Sequence, residues 1–280
     1  MRFSVLIPLV FLLCHCTRAP EMTSAPKRLT SPLPAKTAPA TALSAVSETP
    51  MAPVKSAKMV NATIAGILFE GVAFDSRSHR LVVVDQSGGP GSRFPDAASA
   101  GRSLGGHAAA NAGFFTPEGA PLGLVVSKGT RSGAWNSGSS LGSGVWHVDS
   151  SGSAAISRRE HLGRPAASAM QELIQAGPML VENGTAVSGL DATKPSIRTV
   201  ILWDGGTRWW LGRASICTLA DLGVALAQFQ PAGWKVRHAL NLDGGRSADL
   251  WVSDAIHGGP LVRRAAWNRP VRNFLVLVPR

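Results

Sequence analysis

Cysteine is scarce. The chain has three, at Cys14, Cys16 and Cys217. Only Cys217 lies beyond the first sixty residues, so no disulfide forms within that part, and Cys217 reads as a small core residue. Long apolar runs are also missing. The run at residues 3–13 is too short to span a bilayer. HExxH, Cys pairs and close His pairs are absent, which speaks against zinc. No nucleophile elbow follows a strand, so Ser-His-Asp catalysis lacks its usual mount; the Gly142-Ser143-Gly144 region is too Ser/Gly-rich to be more than a loop.

Nucleic acid is disfavoured despite a formal charge of +11. Residues 1–60 hold seven Lys or Arg against two acids, and the remainder holds 21 against 15, of which 18 are Arg. Those arginines are scattered, with no basic helix and no zinc-finger or RNP pattern. Arginine suits planar contact with phosphate, but net charge alone shows only a non-specific field.

The N-terminal residues carry two readings. Arg2 followed by the apolar run at 3–13 resembles an export signal over residues 1–16. Either a cleaved signal or a lipid-modified cysteine near Cys16 fits, and membrane attachment is expected through this segment alone. Residues 17–60, rich in Ala, Pro, Thr and Ser, cannot bury enough surface to offset their ordering entropy and read as a tether. Export without disulfides suggests a bacterial source, with the protein periplasmic, envelope-attached or extracellular.

Residues 61–280 are enough for one sizeable domain. Strand-like runs dominate it, among them 64–74, 80–85, 107–115, 197–203, 236–242 and 274–278. Asp204-Gly205-Gly206 reads as a hairpin turn. Leu219, Leu222, Leu226 and Phe229 form one helical stripe, opened by Thr218 with Asp221 and stopped by Pro231 and Gly233. A second helix is expected over 167–175. The class is α+β: a single domain with a mixed, mostly antiparallel sheet and few helices. Alternation sends the adjacent Trp209 and Trp210 to opposite faces.

The stretch Asn241-Leu242-Asp243-Gly244-Gly245-Arg246-Ser247 packs an acid, two glycines, an arginine and a hydroxyl behind an apolar run. It reads either as a tight turn, since Asp-Gly is a hairpin signal, or as a site for an anionic substrate. Three further motifs accompany it. Asn111-Ala112-Gly113-Phe114-Phe115 is followed by residues 121–129. Gln175-Ala176-Gly177-Pro178 opens a strand, as does Ile197-Arg198-Thr199. Arg269-Pro270-Val271-Arg272-Asn273 follows the Asp243 stretch. In this order the set resembles the phosphodiester glycosidase family over residues 60–280. One departure stands out: the family usually has a third glycine where this chain has Arg246.

The resemblance implies hydrolysis of a sugar 1-phosphodiester at the anomeric carbon. A phosphodiester leaves far more readily than an alcohol, which relaxes the need for a strong general acid. The site then needs one carboxylate and positive charge on the departing phosphate. Asp243 is the candidate carboxylate, as base or nucleophile. Arg198 is the expected phosphate clamp and Arg246 a second. Ser247 and the amides of Gly244 and Gly245 are expected on phosphate or sugar oxygens. Asn111 and Asn273 are expected either on the sugar or as backbone-ordering groups. Glu118 and Glu172 are the candidates for a second carboxylate, and otherwise solvated acids. No cofactor is expected, although calcium held by Asp and carbonyls needs no signature outside the EF-hand and stays open. The rival reading is a non-catalytic envelope module binding glycan or sugar phosphate in the same cleft, which the Arg246 departure favours.

Overall fold

The computed structural model describes residues 57–280 apart from residue 229; the expected signal and most of the expected tether lie outside these residues. The strands form three sheets. The first, in spatial order, contains β1 (Lys58–Ile64), β2 (Ile67–Asp75), β13 (Arg208–Cys217), β12 (Ser196–Trp203), β14 (His238–Asn241), β10 (Met179–Glu182) and β11 (Thr185–Ala186). The second contains β16 (Leu261–Arg264), β15 (Asp249–Val252), β4 (Ala108–Asn111), β17 (Asn273–Pro279) and β3 (His79–Asp85). The third contains β6 (Thr130–Ser132), β5 (Val125–Ser127), β9 (Glu172–Ala176), β7 (Gly144–Val148) and β8 (Ala154–Arg158). Helices are few: α1 (Ala97–Ser103), α2 (Arg159–Ala167) and α3 (Leu219–Gln228). The α+β class expected from sequence holds. The strands divide among three sheets, and every paired strand runs antiparallel to its neighbour.

Two-sided burial explains the strand sequences. In β12, Ile201 enters the main core while Val200 and Leu202 pack on the other face with Leu222 and Leu226 of α3. Trp209 and Trp210 divide the same way, as alternation requires. The main core gathers Leu211 and Leu240 from the first sheet, Ala110 and Leu275 from the second, and Trp146 and Ile174 from the third. The second sheet's outer face is covered by α1. Alanines in β4 keep that layer thin, and Gly101 of α1 lies so close to Trp251 that a Cβ would sit 2.4 Å from its ring.

The Thr218–Asp221 start of α3 is present, with the Asp221 amide donating to Thr218 Oγ1 at 3.1 Å. The Asp204-Gly205-Gly206 turn joins β12 to β13 as expected, pairing Trp203 with Trp209. Two expectations need correction. The helix lies at Arg159–Ala167, broken at Gly163 (φ 70°), whereas the stretch read as helical leaves the helix at Ala167 and ends in strand β9 from Glu172 onward. β9 is buried along its length and paired with both β5 and β7, so ladder formation overrides local preference. The folded part also starts earlier than residue 61, since Lys58–Val60 already pair with β2.

Candidate active site

Residues 241–247 are not a hairpin turn. β14 belongs to the first sheet and β15 to the second, so this segment carries the chain from one sheet to the other. Leu242 N–H donates to Thr199 O at 2.8 Å on one side, and Asp243 N–H donates to Ala112 O at 2.8 Å on the other. A short 3₁₀ turn, Gly245–Ser247, completes the crossing. Gly244 is required by packing: a Cβ there would sit 2.4 Å from Ile197 O. Gly245 adopts φ 57°, the left-handed region that favours glycine.

Asn111 organises the crossing. Its Nδ2 donates to Asp243 O at 2.5 Å, while its Oδ1 accepts from Thr199 Oγ1 at 2.7 Å and Asp249 N at 3.0 Å. It is fully buried, and its side chain joins three of the four motifs. Asn273 serves the same end of the second sheet. Its Oδ1 accepts from Gly113 N at 2.6 Å, and its backbone carbonyl accepts from Ala112 N at 3.1 Å. The Gly177–Pro178 turn, with a cis bond, is tied in through Asn241 Nδ2, which donates to Gly177 O at 2.8 Å. Gln175 Oε1 accepts from Leu124 N at 3.1 Å, fastening the second motif to the strand that follows the first.

Asp243 is 7% exposed. One carboxylate oxygen accepts from Gly244 N at 2.9 Å, so that amide is not free for a ligand. The other oxygen, Oδ2, is buried and has no hydrogen-bond partner among the described residues. Burial pushes the carboxyl above its ordinary range, with the nearby Ser247 hydroxyl, the Arg269 charge and the Gly244 amide pulling back. Arg269 Nη2 lies 4.0 Å from Oδ2, and its Nε donates to Ser247 Oγ at 3.2 Å. The guanidinium also rests 4.5 Å from the centre of the Phe115 ring. Arg269 therefore bridges the first motif to the last, with its side chain 44% exposed.

The two arginines expected on the phosphate have hydrogen-bond partners of their own. Thr199 faces Asn111 and the main core, so strand alternation turns Arg198 to the opposite face. Arg198 Nη2 donates to Lys194 O at 2.7 Å, and its charge acts on Cys217 and Asp191. Desolvation lowers its pKa and, in turn, burial pushes the Cys217 thiol up to about 11. Arg246 is exposed, and its Nε donates to Trp267 O at 3.3 Å. Neither candidate second carboxylate sits beside Asp243. Glu118 is exposed on its own turn. Glu172 is buried rather than solvated, accepting from Val83 N at 2.8 Å. Arg272 of the last motif pairs bidentately with Asp85 at 2.8 and 2.9 Å and anchors β17 to β3.

Nine buried side-chain polar atoms have no hydrogen-bond partner among the described residues, and four of them belong to the motif residues: Arg198 Nε, Asn241 Oδ1, Asp243 Oδ2 and Asn273 Nδ2. A family model for phosphodiester glycosidases matches residues 104–278. The chain belongs to the phosphodiester glycosidase family.

Solved structures share the fold. The catalytic domain of zebrafish N-acetylglucosamine-1-phosphodiester alpha-N-acetylglucosaminidase, auto-inhibited by its pro-peptide, is similar at TM-score 0.57 and 18% identity, over 83% of this chain and 86% of that one. A Burkholderia pseudomallei protein described as exported is similar at TM-score 0.53 and 14% identity, over 76% of this chain and 74% of that one. An uncharacterised Synechocystis protein gives TM-score 0.52 and 18% identity, over 82% of this chain and 64% of that one. No curated protein matches the sequence significantly.

Arg269 is the residue whose importance the sequence reading missed. The signal was present, since it opens the Arg269-Pro270-Val271-Arg272-Asn273 motif. Nothing in the sequence showed that the loop before β17 returns to Asp243.

Proposed function

We propose that this phosphodiester glycosidase hydrolyses a sugar 1-phosphodiester, such as a GlcNAc-1-phosphodiester, at the anomeric carbon. The observation that carries the reading is the pairing of a desolvated Asp243 oxygen, without a hydrogen-bond partner among the described residues, with the half-exposed Arg269 guanidinium. The carboxylate attacks the anomeric carbon or deprotonates the water that does. The C–O bond to the phosphate breaks, and its electron pair leaves on a phosphate oxygen. Arg269 neutralises the charge that grows there. A phosphodiester leaves without a proton from a general acid, so a single carboxylate suffices. Arg269 thus fills the role that the sequence assigned to Arg198. Asn111 and Asn273 hold the backbone around the carboxylate, and Ser247 positions Arg269.

We place the protein outside the cytoplasm, on the strength of the apolar run after Arg2 and the similarity to a protein described as exported. Turnover of a GlcNAc-1-phosphodiester in ¹⁸O-labelled water tests the chemistry. Label in the released sugar supports it, and label in the phosphate contradicts it.

A further inference from the structure

The chain doubles back beside the Asp243 crossing. Residues 264–269 run along residues 246–249 and are tied to them at four points. Arg264 Nη1 donates to Asp249 Oδ2 at 3.0 Å, and Asn268 Nδ2 donates to Ala248 O. Arg246 Nε donates to Trp267 O at 3.3 Å, and Arg269 N–H donates to Arg246 O at 3.0 Å. The last bond sets Arg246 and Arg269 side by side.

Trp267 stands two residues before Arg269, so their Cα atoms lie within about 7 Å of each other. Of the eight tryptophans, Trp267 alone is exposed, at 67%. A single exposed apolar side chain is ordinary on a protein surface. An exposed indole beside a cation and a site carboxylate is a combination that binds ligands.

The two arginines differ in what faces them. Arg269 reaches Asp243, at 4.0 Å. Arg246 is exposed and makes no salt bridge among the described residues. Asp249, three residues further on, is paired with Arg264 and accepts from the Ala97 amide. The single charge of a phosphodiester is met by Arg269. A second cation on the adjacent residue pair matches a second negative charge further along the same substrate.

We propose that Arg246 and Trp267 form a subsite for the alcohol half of the phosphodiester, and that this alcohol is a phosphorylated sugar. Its ring lies flat on the Trp267 indole, and its own phosphate is held by Arg246. The inference rests on the proposed roles of Asp243 and Arg269. With the anomeric carbon at Asp243 and the phosphate on Arg269, the group that extends past Arg269 is the other ester substituent. A sugar ring offers a face of C–H groups to the indole and hydroxyls to water, which suits a platform that stays largely solvated. A substrate of this kind is a piece of a glycan whose sugars are joined through phosphodiesters.

Steady-state kinetics of the full chain on three GlcNAc-1-phosphodiesters tests the subsite. One is esterified to methanol, one to a neutral hexose, and one to the same hexose bearing a second phosphate. KM is expected to fall at each step, by about tenfold or more overall. Trp267→Ala is expected to abolish the gain from methanol to hexose. Arg246→Ala is expected to abolish the gain from hexose to phosphohexose, and Arg246→Lys, which keeps the charge, to retain part of it. Circular dichroism checks that each variant is folded. Equal KM for the three substrates in the wild type overturns the proposal, as do unchanged ratios in the alanine variants. Turnover of none of the three would contradict the chemistry at Asp243 and leave the subsite to calorimetry with the phosphohexose diester. Binding that weakens about tenfold in both alanine variants then supports the subsite, and absent or unchanged binding overturns it.

Discussion

Arg269 and Asp243 face each other across the sheet crossing, with a guanidinium nitrogen 4.0 Å from the carboxylate oxygen that has no hydrogen-bond partner among the described residues. The distance exceeds a direct hydrogen bond and leaves the cation free to take a phosphate oxygen. Replacing Arg269 with alanine is expected to cut kcat/KM by about 10²–10³-fold on a sugar 1-phosphodiester. Lysine should recover only part of it, because a point charge does not reproduce the planar fork. Steady-state kinetics on both variants checks this. Wild-type kcat/KM in Arg269→Ala would remove the phosphate role.

Arg246 stands at the position where the family usually has glycine, and its Nε donates to the Trp267 carbonyl. Arg246→Ala should change stability by less than about 0.5 kcal/mol. It should also change turnover far less than Arg269→Ala does. Parallel kinetics and urea melts compare the two, and a larger loss at Arg246 would reverse the assignment.

Asn111 is a framework residue. Removing its side chain leaves the Asp243 carbonyl, the Thr199 hydroxyl and the Asp249 amide short of a buried partner. Asn111→Ala should therefore destabilise the fold by about 2–4 kcal/mol, read as a lower urea midpoint at constant slope. An undiminished midpoint would mean that the crossing holds without it.

Asp243 titrates above its ordinary value of 3.8 in the folded protein because of burial. The unfolded chain releases that proton first, so the stability tied to Asp243 is full below 3.8 and is lost as pH rises through the higher folded value. Asn carries no such charge. The stability of Asp243→Asn relative to wild type should be smallest in acid and grow as pH rises through this window, then level off. Paired thermal melts across the acid-to-neutral range measure the difference, and a pH-independent difference contradicts the burial argument.

Local pattern told most where one element decides its own form. The stripe of Leu219, Leu222 and Leu226 and the Thr218 start specified α3, and Asp204-Gly205-Gly206 specified its hairpin. Both rest on contacts within a few residues. The same reasoning misread residues 167–175, because β9 is a strand only by virtue of β5 and β7 on either side. It also read 241–247 as either a turn or a site, when the segment is a passage between sheets that presents a carboxylate. The motifs themselves pointed to the right backbone: Asn111, Thr199, Asp243 and Asn273 do converge. Side-chain direction was the missing information. Arg198 lies on the neighbouring strand but faces away, whereas Arg269, distant in sequence, comes back over Phe115. Glu172, taken otherwise as a solvated acid, is buried and accepts from the amides of Val83 and Lys128.

The central claim is that Asp243 performs the chemistry. The most direct measurement is the hydrolysis rate of a GlcNAc-1-phosphodiester by purified Asp243→Asn beside the wild type, with circular dichroism showing that both are folded. A loss of about 10³-fold or more with the fold intact is the expected result. Hydrolysis by the variant at the wild-type rate contradicts the account.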